Sequence, residues 1–151
     1  MKNLETQLKR LVRDRYNGGK HSWNVEFAKG GDSGFADTQL AMHRQLIPFE
    51  FKLCDIVGAS IKLHKVRPAQ FKYHFELKRA GIQSAFIAGK WCDKGWLAFL
   101  IDPLLITSPE PLIPISQVEM LDFWTEGFSD RLRRSIDLMR ARTFAVVEKG
   151  E

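Results

Sequence analysis

Leu4, Leu8, Leu11 and Val12 recur at helical spacing, which predicts an amphipathic helix over residues 2–16. Asn3 suits its N-cap, and Asn17-Gly18-Gly19 is a stop signal. Glu5 falls in the first turn, where the helix dipole favours a carboxylate. The period then changes. Trp23, Val25 and Phe27 alternate with Asn24 and Glu26, so residues 22–29 read as a strand. A glycine-rich loop over 30–34 leads to Asp37, at the start of the next strand. The run DTQLAMHRQLIPFEFK, residues 37–52, reads as two strands joined at His43-Arg44-Gln45, the second continuing to Leu53.

Further along, residues 54–65 carry Gly58 and Ser60 and read as a loop. Its basic cluster is Lys62, His64, Lys65 and Arg67. A helix is expected over 67–80, with Pro68 in its first turn and Gly81 at its exit. Phe71 and Phe75 form an i, i+4 apolar pair on it, and Gln70 and His74 a second row with Leu77 one turn on. Residues 82–88 and 96–101 read as strands, the first nearly all apolar or small and so central to a sheet. Four prolines over 102–114 predict an ordered loop. Ser116 and Glu119 have capping-box spacing and predict a short helix over 116–124. A final helix is expected over 129–142, with Leu132, Ile136 and Met139 inward and Arg131, Arg133, Arg134 and Arg140 elsewhere.

The length of 151 residues suits one domain with a real core. No apolar run approaches the roughly 18 residues of a membrane span. The charged, helix-like start MKNLETQLKR differs from a secretory signal, so a cytoplasmic location is expected. Two cysteines, Cys54 and Cys92, make neither a disulfide framework nor a zinc motif. The net charge of +5 and pI of about 9.4 suit a polyanionic partner.

The candidate chemistry lies in 37–52. Alternation puts Phe49 and Phe51 on one face of the strand and Glu50 and Lys52 on the other, about 7 Å apart along the backbone. If the two strands pair, Asp37 can approach Glu50. Two carboxylates beside a lysine could hold a hard divalent cation next to a phosphate. A Glu-x-Lys pair alone is ordinarily a solvated face, and the basic cluster reads equally as phosphate contacts or as solvated charge.

The order helix, strand, strand with Asp, strand with Glu-x-Lys, helix with Gln, strand resembles the PD-(D/E)xK nuclease superfamily. Within it the chain is most similar to Holliday junction resolvase-like members of the RecU and VRR-NUC types. The likeness runs from Leu4 to about Ile101, through LETQL, GFAD, FEFK and VRPAQFKYHFELKRAG, with a weaker echo in DFWTEG and RRSI. It implies an α/β fold with a restriction-endonuclease-like core. That core is a central mixed sheet flanked by helices in α-β-β-β-α-β order, here with a C-terminal helical extension. It implies Asp37, Glu50 and the Phe51 carbonyl as metal ligands, Lys52 as the catalytic lysine, and Gln70 and Glu5 as further site residues. The implied cofactor is Mg2+, with Mn2+ as substitute. The implied partner is DNA, branched or junction DNA in particular, cut by a homodimer in a bacterial or phage-infected cell and so nucleoid-associated when bound. Lys62, His64, Lys65, Arg67, Arg133 and Arg134 are the expected phosphate contacts. Ala36 stands where the motif has proline, and no long stalk is inserted. A monomeric nicking or end-processing nuclease, a non-catalytic nucleic-acid-binding protein and a plain interaction module are the rival readings.

Overall fold

The computed structural model describes residues 3–24 and 38–148, with side chains for 3–21 and 38–139. In chain order these form α1 (Leu4–Arg15), β1 (Ser22–Asn24), β2 (Thr38–Met42), β3 (Gln45–Val57), β4 (Ser60–Leu63), α2 (Pro68–Arg79), β5 (Ala85–Cys92), β6 (Gly95–Ile101), β7 (Leu112–Pro114), β8 (Glu119–Leu121) and α3 (Phe128–Glu148). The result is an α/β fold: one curled, mixed eight-stranded sheet with three helices. Its main order is β1-β2-β3-β5-β6-β8, with β4 paired to the far half of β3 and β7 to β4. The β3–β5 pairing is parallel, with α2 in the crossover; the other pairings are antiparallel. Among the described residues no helix is long and apolar enough to cross a membrane.

The α1 helix forms as its spacing predicts. Asn3 Oδ1 accepts from the Thr6 N–H at 3.1 Å, and Leu8 and Val12 are buried. Gly89 on β5 lets the helix come close: a Cβ there would lie 2.7 Å from Leu8 Cδ2. The β2–β3 turn is tighter than expected. His43 and Arg44 alone make it, both at positive φ (52° and 62°), which fits a two-residue hairpin of the I′ kind.

Two sequence expectations fail. Residues 54–65 are not a loop: β3 continues to Val57, turns at Gly58 (φ +60°) and returns as β4. Cys54, Ile61 and Leu63 are buried on the sheet, and Asp55 pairs in register with Lys62. Residues 116–124 are not a helix. A 3-10 turn over Ile115–Gln117 leads into β8, which covers the edge of β6, because pairing an open edge outweighs a local capping signal. The proline-rich 102–114 stretch also contributes the short β7.

The sheet has two different faces. Toward α1 and α3 lie Phe49, Phe51, Ala85, Ile87, Leu8, Val12, Leu132 and Ile136, all apolar. Toward α2 lie Phe86, Ala88, Cys54 and Ile101, together with the side chains of Glu50 and Lys52.

Candidate active site

Glu50 and Lys52 sit mid-strand on β3, opposite Phe86 and Ala88 of β5. They are 6% and 7% exposed. The α2 helix supplies what holds Glu50. Gln70 Oε1 accepts from the Arg67 N–H at 3.1 Å, and Gln70 Nε2 donates to Glu50 Oε1 at 2.8 Å. The Arg67 N–H thus orients the amide so that its donor end faces the carboxylate. Lys52 Nζ donates to the Lys65 carbonyl at 3.1 Å, just after β4.

One turn after Gln70, His74 is buried with its Nε2 3.6 Å from Glu50 Oε2. Its Nδ1 shares a 2.8 Å hydrogen bond with Ser84 Oγ, and its ring tilts against Phe86 at 4.6 Å. Burial, and then the nearby Lys78 charge, push the imidazole down to about 3, so it is neutral at pH 7. A further turn on, Lys78 Nζ donates to Gln83 Oε1 at 2.9 Å and lies 3.8 Å from Asp102. The Tyr73 phenol is pushed up by burial and then by the Glu50 charge. At the end of this strip the Cys54 thiol is pushed up to about 12, chiefly by burial and then by Asp55, so it holds no thiolate at neutral pH.

The predicted residues fall in several places. Glu50, Lys52 and Gln70 come together. Asp37 lies outside the described residues. Its neighbour in sequence, Thr38, pairs with Phe49, the neighbour of Glu50. The Phe51 carbonyl points to the edge of β3 that β2 and β4 share. Leu53, two residues on, accepts there from the His64 N–H at 2.9 Å, and carbonyl direction alternates along a strand. That edge pairs with β2 up to Phe49 and with β4 from Cys54 onward. Glu5 stands exposed in the first turn of α1, in the layer across the sheet.

Lys62, His64 and Lys65 line a surface cavity of about 340 Å3 together with Asp55 and Glu110. His64 Nε2 lies 3.2 Å from Asp55 Oδ2. Arg67 is the N-cap residue of α2, beside Gln70. Arg133 and Arg134 are on α3, on the far side of the sheet. Arg133 donates to Tyr16 Oη (3.4 Å), Asn17 Oδ1 (3.2 Å) and Asp130, which ties α3 to the end of α1. The sequence reading missed Tyr73, Lys78, Gln83, Ser84 and Asp102. The signal for Lys78 was present as Gln70-His74-Lys78, an i, i+4, i+8 row.

Comparison of the chain with protein-family models, curated proteins and solved structures gives no match.

Among the described residues no group of three or more His, Cys, Asp or Glu side chains could hold a metal ion. They offer one buried carboxylate at this centre, Glu50, and the strand-edge carbonyl of Phe51. Oxygen donors of this kind suit magnesium or manganese rather than a soft metal. As a donor set they are compatible with such an ion, and a second carboxylate would complete them.

Proposed function

We propose that the chain is a metal-dependent nuclease of the PD-(D/E)xK kind, with a restriction-endonuclease-like core, that hydrolyses phosphodiester bonds in DNA. The observation that carries this reading is the burial of Glu50 and Lys52 side by side on the central strand, each held by a group from a neighbouring segment. Taking charged side chains out of water is costly, and apolar replacements of similar volume are often neutral or stabilising, so stability alone is a poor reason to bury both groups. Enclosed ionisable groups beside a strongly perturbed neighbour, here the neutral imidazole of His74, are characteristic of reactive sites.

In this reading Glu50, the Phe51 carbonyl and Asp37 would hold magnesium or manganese. Asp37 enters through the pairing of its neighbour Thr38 with Phe49. When bound, the ion supplies positive charge to the scissile phosphate and acidifies water. Lys52 Nζ, anchored on the Lys65 carbonyl, orients the attacking water and offsets phosphate charge. Gln70 fixes the Glu50 carboxylate. Lys62, Lys65 and Arg67 contact flanking phosphates. Branched DNA, cut symmetrically by two copies of the chain, is the favoured substrate.

The test is a panel of labelled DNAs (four-way junction, flap, nick, linear duplex, single strand) with magnesium or with EDTA. Metal-dependent cleavage is expected, with loss of activity in Glu50→Gln and weaker manganese binding by calorimetry. Full cleavage by Glu50→Gln would refute the assignment.

A further inference from the structure

Beside this centre, α2 exposes two phenylalanines among its charged residues Lys72, Glu76 and Arg79. Phe71 and Phe75, one turn apart, are 38% and 43% exposed and stack with centroids 5.8 Å apart and planes inclined by 19°. Phe71 forms one wall of a cleft of about 230 Å3, with Val66, Pro68, Thr107, Ser108 and Pro109 as the rest. That volume is below the roughly 300–1,000 Å3 of sites that enclose drug-sized ligands, and suits one planar ring system.

The cleft and the catalytic strip share backbone. Val66 follows Lys65, whose carbonyl holds Lys52; Phe71 follows Gln70, whose amide holds Glu50. The surroundings are cationic. Lys65, Arg67 and Lys72 are exposed next to lining residues, and Lys62 lies with Lys65 in the adjoining cavity. The carboxylates there are Asp55 and Glu110. Asp55 is already faced by His64 at 3.2 Å and Lys90 at 3.7 Å. An apolar slot walled by Phe71, one ring of a stacked aromatic pair, with a positive rim matches a ligand that joins flat rings to phosphates.

We propose that the cleft takes one unpaired base of a single-stranded nucleic acid segment, stacked on Phe71, with the adjacent phosphates on Lys65, Arg67 and Lys72. The inference rests on the nuclease reading and narrows its substrate. The strand delivered to Glu50 and Lys52 is unpaired there, as in a flap, a gap or an opened junction. In continuous duplex both faces of every base are covered by stacking, so the slot has nothing to take.

The probe is a short labelled oligodeoxythymidylate, compared with a labelled hairpin duplex, titrated in EDTA and followed by fluorescence anisotropy. Phe71→Ala should weaken oligothymidylate binding about fivefold or more, because stacking on an aromatic is worth about 1–3 kcal/mol per base. The salt dependence should stay as in wild type, since no phosphate contact is lost. Phe71→Trp should restore binding, and duplex affinity should not change. Wild-type affinity of Phe71→Ala for the oligonucleotide would overturn the proposal. So would sedimentation showing a wild-type dimer that Phe71→Ala converts to monomer, because the face would then be covered by a second copy. Binding in EDTA needs no cleavage. A Phe71 effect alongside a fully active Glu50→Gln would therefore refute the nuclease centre and not the base slot. Metal-dependent cleavage without a Phe71 effect would do the reverse.

Discussion

The two faces of β3 use adjacent residues for opposite ends. Phe49 and Phe51 meet α1 and α3 in a mainly apolar layer, whereas Glu50 and Lys52 meet α2 in a layer threaded with Gln70, His74 and Ser84. The first layer contributes stability in proportion to the apolar area it removes from water, about 25 cal/mol per Å2. The second carries charged groups whose desolvation offsets most of their attraction. On the proposed function, stability and chemistry are separated by the thickness of one sheet, and substitutions on the two faces should have different signatures.

The largest expected effect comes from removing both charges together. Glu50→Gln combined with Lys52→Met should lower cleavage by at least about 100-fold, the scale of a lost general acid–base group. Urea unfolding of the same variant should show stability unchanged or raised by up to about 4 kcal/mol. A loss of several kcal/mol instead would make the pair a structural tie and erase the contrast. On the other face, Phe49→Ala should cost about 3–5 kcal/mol, read as a lower urea midpoint at unchanged slope. Its single-turnover rate per folded molecule should stay near wild type. A collapsed rate would mean that the faces are coupled.

The smallest effect concerns His74. The folded chain holds this imidazole neutral down to about 3, whereas the unfolded chain protonates it near 6.5. Between those values the unfolded state binds more protons, so stability rises with pH across the window and is lost as pH falls. His74→Gln should remove that part of the acid sensitivity. The difference between wild-type and variant stability, measured at the two ends of the window, reads it directly. Equal pH slopes would place a solvated or already charged histidine there.

Much of the apolar layer was legible in the sequence. Asn3, Leu8 and Val12 announce α1, and Leu132, Ile136 and Met139 announce the inward side of α3, because a helix buried on an apolar sheet needs only periodic apolar residues. The alternation Phe49-Glu50-Phe51-Lys52 also gave the two faces of β3 correctly. The polar layer was less legible. Phe71 and Phe75 form the apolar row of α2, yet Gln70, His74 and Lys78 occupy its buried side. Their partners Glu50, Ser84 and Gln83 come from β3 and the approach to β5, so the preference is set by hydrogen bonds across distant segments. The β3–β4 hairpin hid behind its basic residues, because Cys54, Ile61 and Leu63 are too few to establish a period. Asp37 lies outside the described residues, so the second carboxylate rests on sequence alone.

The His43-Arg44 turn sets more than a hairpin. Its length fixes which odd-numbered residues of β3 face the apolar helices, and hence that the even-numbered Glu50 and Lys52 do not. His43 Nε2 also lies 2.7 Å from the Arg133 carbonyl, which fastens the turn to α3. Strand faces obey parity: inserting or deleting one residue between the turn and Phe49 would exchange every odd and even position at once. Two phenylalanines would then face the polar strip, and a carboxylate and an ammonium would enter the apolar layer. An insertion at Gly58-Ala59 or Asp93-Lys94 would put the parity of β4 or β6 at risk instead and leave Glu50 and Lys52 on their face, since those turns follow Lys52 in the chain. The chain between residues 44 and 50 therefore behaves as a reading frame, one that can drift in composition and not in length.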